Sequence, residues 1–214
     1  MPRNTVYVLV LLQVVLCGSA LACEGQVGKI IFEDTFQDDT GGWDFTPSVA
    51  TVNPPNFVST LSSTTTSIAS QNLAFHATDA DYRAEVILPK SFAPDNTYGF
   101  GVEFWAVDYN NFWMAMLSSN GSLGLYTRVN GVWQSIATVP NPPGLKPEPD
   151  AVNALRVTTV GGKISVYLNG QLVKAVRAQI PEGNLRFGMY SQMDKGADGA
   201  APILVKSFKV TSGQ

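Results

Sequence analysis

Apolar and polar residues alternate along residues 96–134, and this pattern predicts four strands joined by three tight turns. In 98–107 the even-numbered positions are apolar, and in 123–129 the odd-numbered positions are mostly so. Because successive strand residues point to opposite faces, each set predicts a side that faces the core. Residues 112–117 are apolar at both parities, which predicts a strand covered on both faces.

The turns of this stretch support the same interpretation. Asn120-Gly121 and Asn130-Gly131 lie between apolar runs, and residues 108–111 form the remaining turn. Asn and Gly accept the positive φ values of a two-residue hairpin turn, so these pairs predict hairpins. Such a meander cannot bury its apolar face alone. A second sheet must therefore cover that face.

Residues 79–88 predict another strand, and its polar face carries several carboxylates. Asp81 and Glu85 share that face, with Arg83 between them. Glycosidases that work with two carboxylates need both groups facing one cleft, so a catalytic role is one alternative. The alternating charges favour a solvated face, because no feature of this strand raises the pKa of one carboxylate.

Composition agrees with a single all-β domain. The chain has 214 residues, of which 45% are hydrophobic, and its 19 Gly and 13 Pro fit strands and turns. No long segment of 3.6-residue period follows the N-terminus, so almost no helix is expected. Lys and Arg number 14 against 17 Asp and Glu. No basic run occurs, which argues against nucleic acid as a partner.

The first 22 residues are typical of an export signal. Arg3 is followed by an apolar run over 5–17 and by the small-x-small pattern of residues 20–22. We therefore expect a signal peptide at 1–22, a short linker at 23–29 and the domain at 30–211. The protein is then periplasmic, extracellular or anchored to the cell envelope by lipid.

Cys23 follows the predicted cleavage point, and it is the cysteine that remains when Cys17 leaves with the signal. Residues 20–23 resemble the lipobox of a bacterial lipoprotein, in which the cysteine is acylated as the new first residue. The alternative is ordinary cleavage beside an incidental cysteine. Contact with a membrane is expected only through such an anchor.

No cofactor is expected. The nearest candidate is calcium, because five carboxylates fall within residues 33–44 and oxygen ligands suit a hard cation. These carboxylates are Glu33, Asp34, Asp38, Asp39 and Asp44. The spaced ligand pattern of a calcium loop is missing, which favours a solvated turn.

Residues 152–170, VNALRVTTVGGKISVYLNG, resemble the N-x-L-x-V … G-x-x-I-x-x-Y-x-N-G stretch of concanavalin A-like (LamG-like) jelly-roll domains. Residues 32–43, 98–113, 184–189 and 205–210 resemble further motifs of the same domains in the same order. The group includes exported bacterial proteins related to 3-keto-disaccharide hydrolases. The resemblance implies a two-layer antiparallel β-sandwich of jelly-roll type over about 30–211. It carries no catalytic residue onto this chain.

Catalytic motifs are missing from the sequence. His76 is the single histidine, no G-x-S-x-G elbow occurs, and the E-x-D-x-x-E motif of the jelly-roll glucanases is absent. Metal sites built on His and Cys are excluded by count. These omissions favour a non-catalytic exported binding domain. The alternatives are a glycoside hydrolase of the 3-keto-disaccharide type and a structural or protein-interaction domain of the cell envelope.

Carbohydrate is the expected ligand, because aromatic and charged residues are predicted to share the non-core face of the meander. Flat aromatic rings suit the apolar C–H face of a sugar, and charged neighbours suit its hydroxyls. The alternative is that these aromatic side chains pack beneath covering loops. The predicted site residues are Glu103, Trp105, Trp113, Tyr126 and Arg128.

Overall fold

The computed structural model describes residues 28–89, 97–194 and 202–213, and this part of the chain contains fifteen strands and no helix. In chain order the strands are β1 (Ile30–Asp34), β2 (Trp43–Asp44), β3 (Ala50–Asn53), β4 (Asn56–Ser59), β5 (Ser67–Asn72), β6 (Ala80–Ile87), β7 (Tyr98–Asp108), β8 (Asn111–Ser118), β9 (Ser122–Val129), β10 (Val132–Pro140), β11 (Asn153–Val160), β12 (Lys163–Leu168), β13 (Gln171–Arg177), β14 (Arg186–Met193) and β15 (Ile203–Ser212).

The strands form two antiparallel sheets that pack face to face. The seven-stranded sheet has the order β10-β9-β8-β7-β14-β5-β2. The eight-stranded sheet has the order β13-β12-β11-β6-β15-β4-β3, with β1 also paired to β15. The predicted two-layer all-β sandwich is therefore confirmed.

The predicted meander is also confirmed, since β7, β8, β9 and β10 are consecutive neighbours in the seven-stranded sheet. Asn130 and Gly131 adopt φ values of 51° and 80°, which lie in the left-handed region that a hairpin turn of this kind requires. After β10 the proline-rich residues 141–152 lead to β11 in the other sheet, so this segment crosses between the layers.

Aromatic side chains fill the space between the sheets. The rings of Phe187 and Phe208 stack with centroids 5.7 Å apart, and Trp43 meets Phe208 edge-on at 5.1 Å. Tyr82 is fully buried, and its hydroxyl donates a hydrogen bond to the Ala77 carbonyl at 2.9 Å. Burial of these large rings supplies much of the apolar area that holds the two layers together.

The carboxylates of β6 are paired on the outer side of the eight-stranded sheet. Arg156 Nη2 lies 2.6 Å from Asp81 Oδ2, and Arg83 Nη2 lies 2.9 Å from Glu85 Oε1. Each acid is thus neutralised by an arginine at a surface that is partly exposed. This arrangement agrees with the solvated charged face that the sequence favours.

Strand β10 is one edge of the seven-stranded sheet. Ser135 pairs with Tyr126 and Ala137 pairs with Leu125, which leaves Ile136 as an extra residue in a β-bulge. Several apolar side chains of this strand are exposed, including Val132 and Trp133.

Within the described part of the chain, no helix is long and apolar enough to cross a membrane.

Candidate functional site

The face of the seven-stranded sheet that points away from the eight-stranded sheet is here called the outer face. Directly paired residues on neighbouring antiparallel strands project to the same face, so the strand registers define a row across it. From β10 to β2 this row contains Ser135, Tyr126, Met114, Glu103, Gly188, Gln71 and Asp44. A ring, a thioether, a carboxyl and an amide thus lie in line.

Glycines on the outer face give long side chains space to lie flat on the sheet. A Cβ atom added to Gly99 would lie 2.9 Å from Met116 Sδ, and one added to Gly101 would overlap Met114. The residues Phe112, Met114 and Met116 of β8 are accordingly buried on this face, although it is the outside of the sandwich. Strand β8 is therefore covered on both faces, as its sequence predicts.

Trp133 on β10 covers this buried layer and is itself 40% exposed. Its ring meets Phe112 edge-on at 5.4 Å, Tyr190 at 5.5 Å and Tyr126 at 6.5 Å. The Arg128 guanidinium carbon lies 5.5 Å from the Trp133 ring centroid, within range of a cation–π contact. We call this arrangement the Trp133 platform. It holds an accessible indole ring in a defined orientation.

A groove of about 180 Å³ lies beside the Trp133 platform. Most of the lining groups are thioethers and aromatic rings, and three of the residues carry a hydroxyl, an indole N–H or an amide. The lining residues are Met114, Met116, Tyr126, Trp133 and Gln192. Apolar walls with a few polar groups are typical of ligand sites. The volume is below the roughly 300–1,000 Å³ of a site that encloses a whole small molecule, so the groove suits one substituent of a ligand.

Glu103 is fully buried at the centre of the row. Gln71 Nε2 donates to Glu103 Oε2 at 3.2 Å and to the Asp108 carbonyl at 3.3 Å. Among the described residues, none hydrogen-bonds to the other carboxyl oxygen, Oε1. Burial raises the pKa of Glu103 to about 8, against the smaller opposing effects of Gln71 and Arg128. The carboxyl is therefore largely protonated at neutral pH.

The turn between β7 and β8 closes one end of the outer face. Arg128 Nη1 donates to the Tyr109 carbonyl at 3.1 Å, and its Nε donates to the Gly131 carbonyl at 3.2 Å. The Tyr109 hydroxyl donates to Asp44 Oδ2 at 2.6 Å, which ties this turn to β2. Burial, followed by this bond to Asp44, raises the pKa of Tyr109. Arg128 is thus held in place by carbonyl groups at both adjacent turns.

The predicted site residues divide between the two faces. Glu103, Tyr126 and Arg128 share the outer face, as the alternation predicts. The placement of Trp105 and Trp113 on that face was wrong. Both pack toward the eight-stranded sheet, with their rings 6.3 Å apart, and Trp105 is fully buried.

A β-bulge explains the position of Trp105. Phe104 pairs with Trp113 and Asp108 pairs with Asn111, so β7 has two more residues than β8 between these points. Trp105 has a φ of 50°, in the left-handed region that few bulky residues adopt. The backbone therefore turns its side chain to the same side as Phe104. Its Nε1 donates to the Thr78 carbonyl at 2.7 Å.

Trp133 and Tyr190 belong to the site but were missed by the sequence prediction. Tyr190 lies on β14, whose pairing with β7 no local pattern reveals. The position of Trp133 could have been predicted from the sequence, because the two-residue Asn130-Gly131 turn pairs Val132 with Val129. That register places Trp133 opposite Arg128, on the outer face.

The acidic residues near the N-terminal end of the domain are engaged separately. Asp34 accepts hydrogen bonds from Trp43 Nε1 at 2.8 Å and from the Phe36 amide at 2.7 Å. Glu33 pairs with Lys209 at 3.1 Å, while Asp44 accepts from Tyr109 as described above. In the described part of the chain, no group of three or more His, Cys, Asp or Glu side chains is placed to hold a metal ion.

Solved structures with this architecture include carbohydrate-active proteins. The carbohydrate-binding module CBM66 from Bacillus subtilis aligns with a TM-score of 0.62 and 14% identity over 80% of this chain and 96% of its own. The Bacillus licheniformis beta-glucanase aligns with a TM-score of 0.61 and 13% identity, over 87% of this chain and 100% of its own. The Emp47p carbohydrate recognition domain aligns with a TM-score of 0.64 and 13% identity, over 87% of this chain and 98% of its own.

The fold is a concanavalin A-like jelly roll. The resemblance of its motifs to that group of domains is therefore confirmed at the level of fold. No protein-family model matches the sequence, and no curated protein matches it. The closer relation to 3-keto-disaccharide hydrolases stays a prediction. Because these structural likenesses are all of low identity, a function for this jelly roll depends on its own residues.

Proposed function

We propose that this jelly roll is a carbohydrate-binding domain and that its ligand lies on the Trp133 platform and in the adjoining groove. The observation that carries this proposal is the exposed indole ring of Trp133, oriented by the buried rings of Phe112 and Tyr190. An aromatic face fixed in this way matches the apolar C–H face of a sugar ring. The binding module and the recognition domain that share the fold support the same ligand class.

The proposal is tested by replacing Trp133 with alanine. Loss of stacking is expected to weaken binding of a glycan identified on an array by about 1–2 kcal/mol, or roughly five- to thirtyfold in Kd. Isothermal titration calorimetry measures the change, and circular dichroism checks that the variant is folded.

The matched control is Val132→Ala, which truncates the neighbouring exposed side chain on the opposite side of β10. This variant is expected to bind as the parent does. An unchanged Kd in the Trp133 variant would place the site elsewhere. A protein-interaction domain would bind no glycan on the array.

Glycoside hydrolysis is the rival function, and the raised pKa of Glu103 is the observation that favours it, since a protonated carboxyl can act as a general acid. The carboxyl is nevertheless fully buried and does not line the groove. Asp44 shares its row but lies three strands away, so the two backbones are about 14 Å apart. The two carboxyl groups of a glycosidase are roughly 5–9.5 Å apart. Hydrolysis of glycosides or 3-keto-glycosides that Glu103→Gln abolishes would overturn the binding proposal.

Export is part of the proposed function, and it is supported by the signal pattern of residues 1–22. The predicted signal at 1–22 and the candidate lipidation site Cys23 lie outside the described residues. Mass spectrometry of the mature N-terminus separates the two alternatives for Cys23. A diacylglyceryl adduct identifies a lipoprotein, and a free thiol identifies plain cleavage.

A further inference from the structure

The lining of the groove is unusual for a sugar site because few of its groups form hydrogen bonds. Met114 and Met116 offer thioethers, and the indole of Trp133 has a single N–H group. A hexose that carries hydroxyls on every side would lose water there without gaining equivalent partners. A polar group that is removed from water without a new hydrogen-bond partner weakens binding. The part of a ligand that enters the groove should therefore be largely apolar.

The groove also lacks a charged lining group among the described residues. Arg128 is nearby, but its guanidinium is engaged with the Tyr109 and Gly131 carbonyls and with the Trp133 ring. Glu103 is buried beneath this face rather than in the groove. An amino sugar in its ammonium form would thus bring a positive charge to a groove without a lining carboxylate, at a desolvation cost.

Gln192 supplies an amide at one end of the methionine surface. The side chains of Gln192 and Met116 both lie over Gly99. A Cβ atom added to Gly99 would be 2.9 Å from Met116 Sδ and 3.3 Å from Gln192 Cγ. The amide of Gln192 offers both a donor and an acceptor. An apolar surface and an amide are therefore adjacent.

An acetamido group presents a methyl group and an amide in the same adjacent arrangement. We propose that the groove binds the acetamido group of an N-acetylhexosamine, with its methyl against Met114 and Met116 and its amide paired with Gln192. This inference rests on the proposed carbohydrate-binding function. It assigns the sugar ring to Trp133 and the substituent to the groove.

The experiment uses pairs of ligands that differ only at the acetamido group. Chitotetraose is compared with cellotetraose, and N-acetyllactosamine with lactose, by titration calorimetry on the mature protein. We expect the acetylated member of at least one pair to bind ten times more tightly or better. Tetraglucosamine, which carries ammonium groups in place of the acetamido groups, is expected to bind no better than cellotetraose, because the groove has no lining carboxylate.

The role of the groove is tested by Gln192→Ala against the matched control Gln134→Ala. Gln134 is exposed on β10 and pairs with Thr127, on the opposite side of the strand from Trp133. We expect Gln192→Ala to reduce the preference for the acetylated ligand by about tenfold and Gln134→Ala to leave it unchanged. Gln192→Glu, which keeps the size and the acceptor, provides a second variant if the alanine variant is unstable.

The outcomes separate the inference from the function on which it rests. Equal affinity within every pair, together with binding that depends on Trp133, would overturn the acetamido assignment and leave carbohydrate binding intact. An acetyl preference that survives both Gln192 variants would place that group outside the groove. Absence of binding to any glycan would overturn the proposed function itself.

Discussion

Replacing Trp105 with alanine is expected to lower the free energy of unfolding by about 3–5 kcal/mol, the usual cost of removing a large buried aromatic side chain. Trp105 is fully buried between the sheets, where it contacts the rings of Phe104 and Trp113. Its loss leaves a cavity and removes one of the two donors to the Thr78 carbonyl, the other being the Thr159 hydroxyl at 2.8 Å. Alanine does not relieve the backbone, because a φ of 50° is unfavourable for alanine as well.

Urea unfolding followed by circular dichroism measures this effect. Trp105→Phe keeps a smaller ring in the core, and the Thr78 carbonyl keeps its hydrogen bond from Thr159, so its loss of stability should be smaller. Trp133→Ala, on the outer face, is expected to change stability much less than Trp105→Ala. A Trp105→Ala variant within about 1 kcal/mol of the parent would show that this side chain does not belong to the core.

Replacing Glu103 with glutamine is expected to stabilise the domain at neutral and alkaline pH. Burial raises the pKa of this carboxyl from 4.5 to about 8, so between these values the folded state holds a proton that the unfolded state has released. The contribution of Glu103 to stability is therefore complete below about pH 4.5 and is lost as the pH rises toward 8. Over this range the loss is on the order of several kcal/mol, at about 1.4 kcal/mol for each pH unit.

Glutamine has nearly the shape of the protonated carboxyl and does not titrate, so Glu103→Gln should remove the loss of stability between pH 4.5 and 8. The difference in unfolding free energy between parent and variant, measured from pH 4 to 9, isolates Glu103 from other titrating groups. Glu148→Gln, at an exposed loop position, is the matched control, and its unfolding free energy should depend on pH as that of the parent does. Parallel curves for the parent and Glu103→Gln would contradict burial of this carboxyl.

Much of the fold was predictable from the sequence because its determinants are local. The period of two in β6, β7 and β9 identifies the core faces, and the Asn-Gly turns determine which strands are neighbours in the meander. The contacts between β7 and β14, or between β6 and β15, join residues that are 80 or more positions apart in the chain. Pairing over that distance depends on the packing of the whole sandwich, so no local pattern reveals it.

The site was only partly predictable, for a different physical reason. Regular alternation correctly placed Glu103, Tyr126 and Arg128 on the outer face. The same rule misplaced Trp105, because a bulge inserts extra residues and reverses the parity beyond Phe104. The large size of Trp105 already favoured burial, which was the alternative interpretation of the aromatic residues. Parity beyond a bulge therefore needs evidence other than alternation.

The position of Trp133 on an edge strand has a consequence for self-association. Strand β10 contains no charged residue, whereas β13, at the edge of the other sheet, carries Lys174 and Arg177. An apolar, unprotected edge is a template for pairing with another chain and hence for aggregation. The bulge at Ile136 and the terminal Pro140 interrupt the hydrogen-bonding pattern of this edge. The irregularity of β10 thus keeps an aromatic surface accessible to small ligands while it limits strand addition by a second copy of the protein.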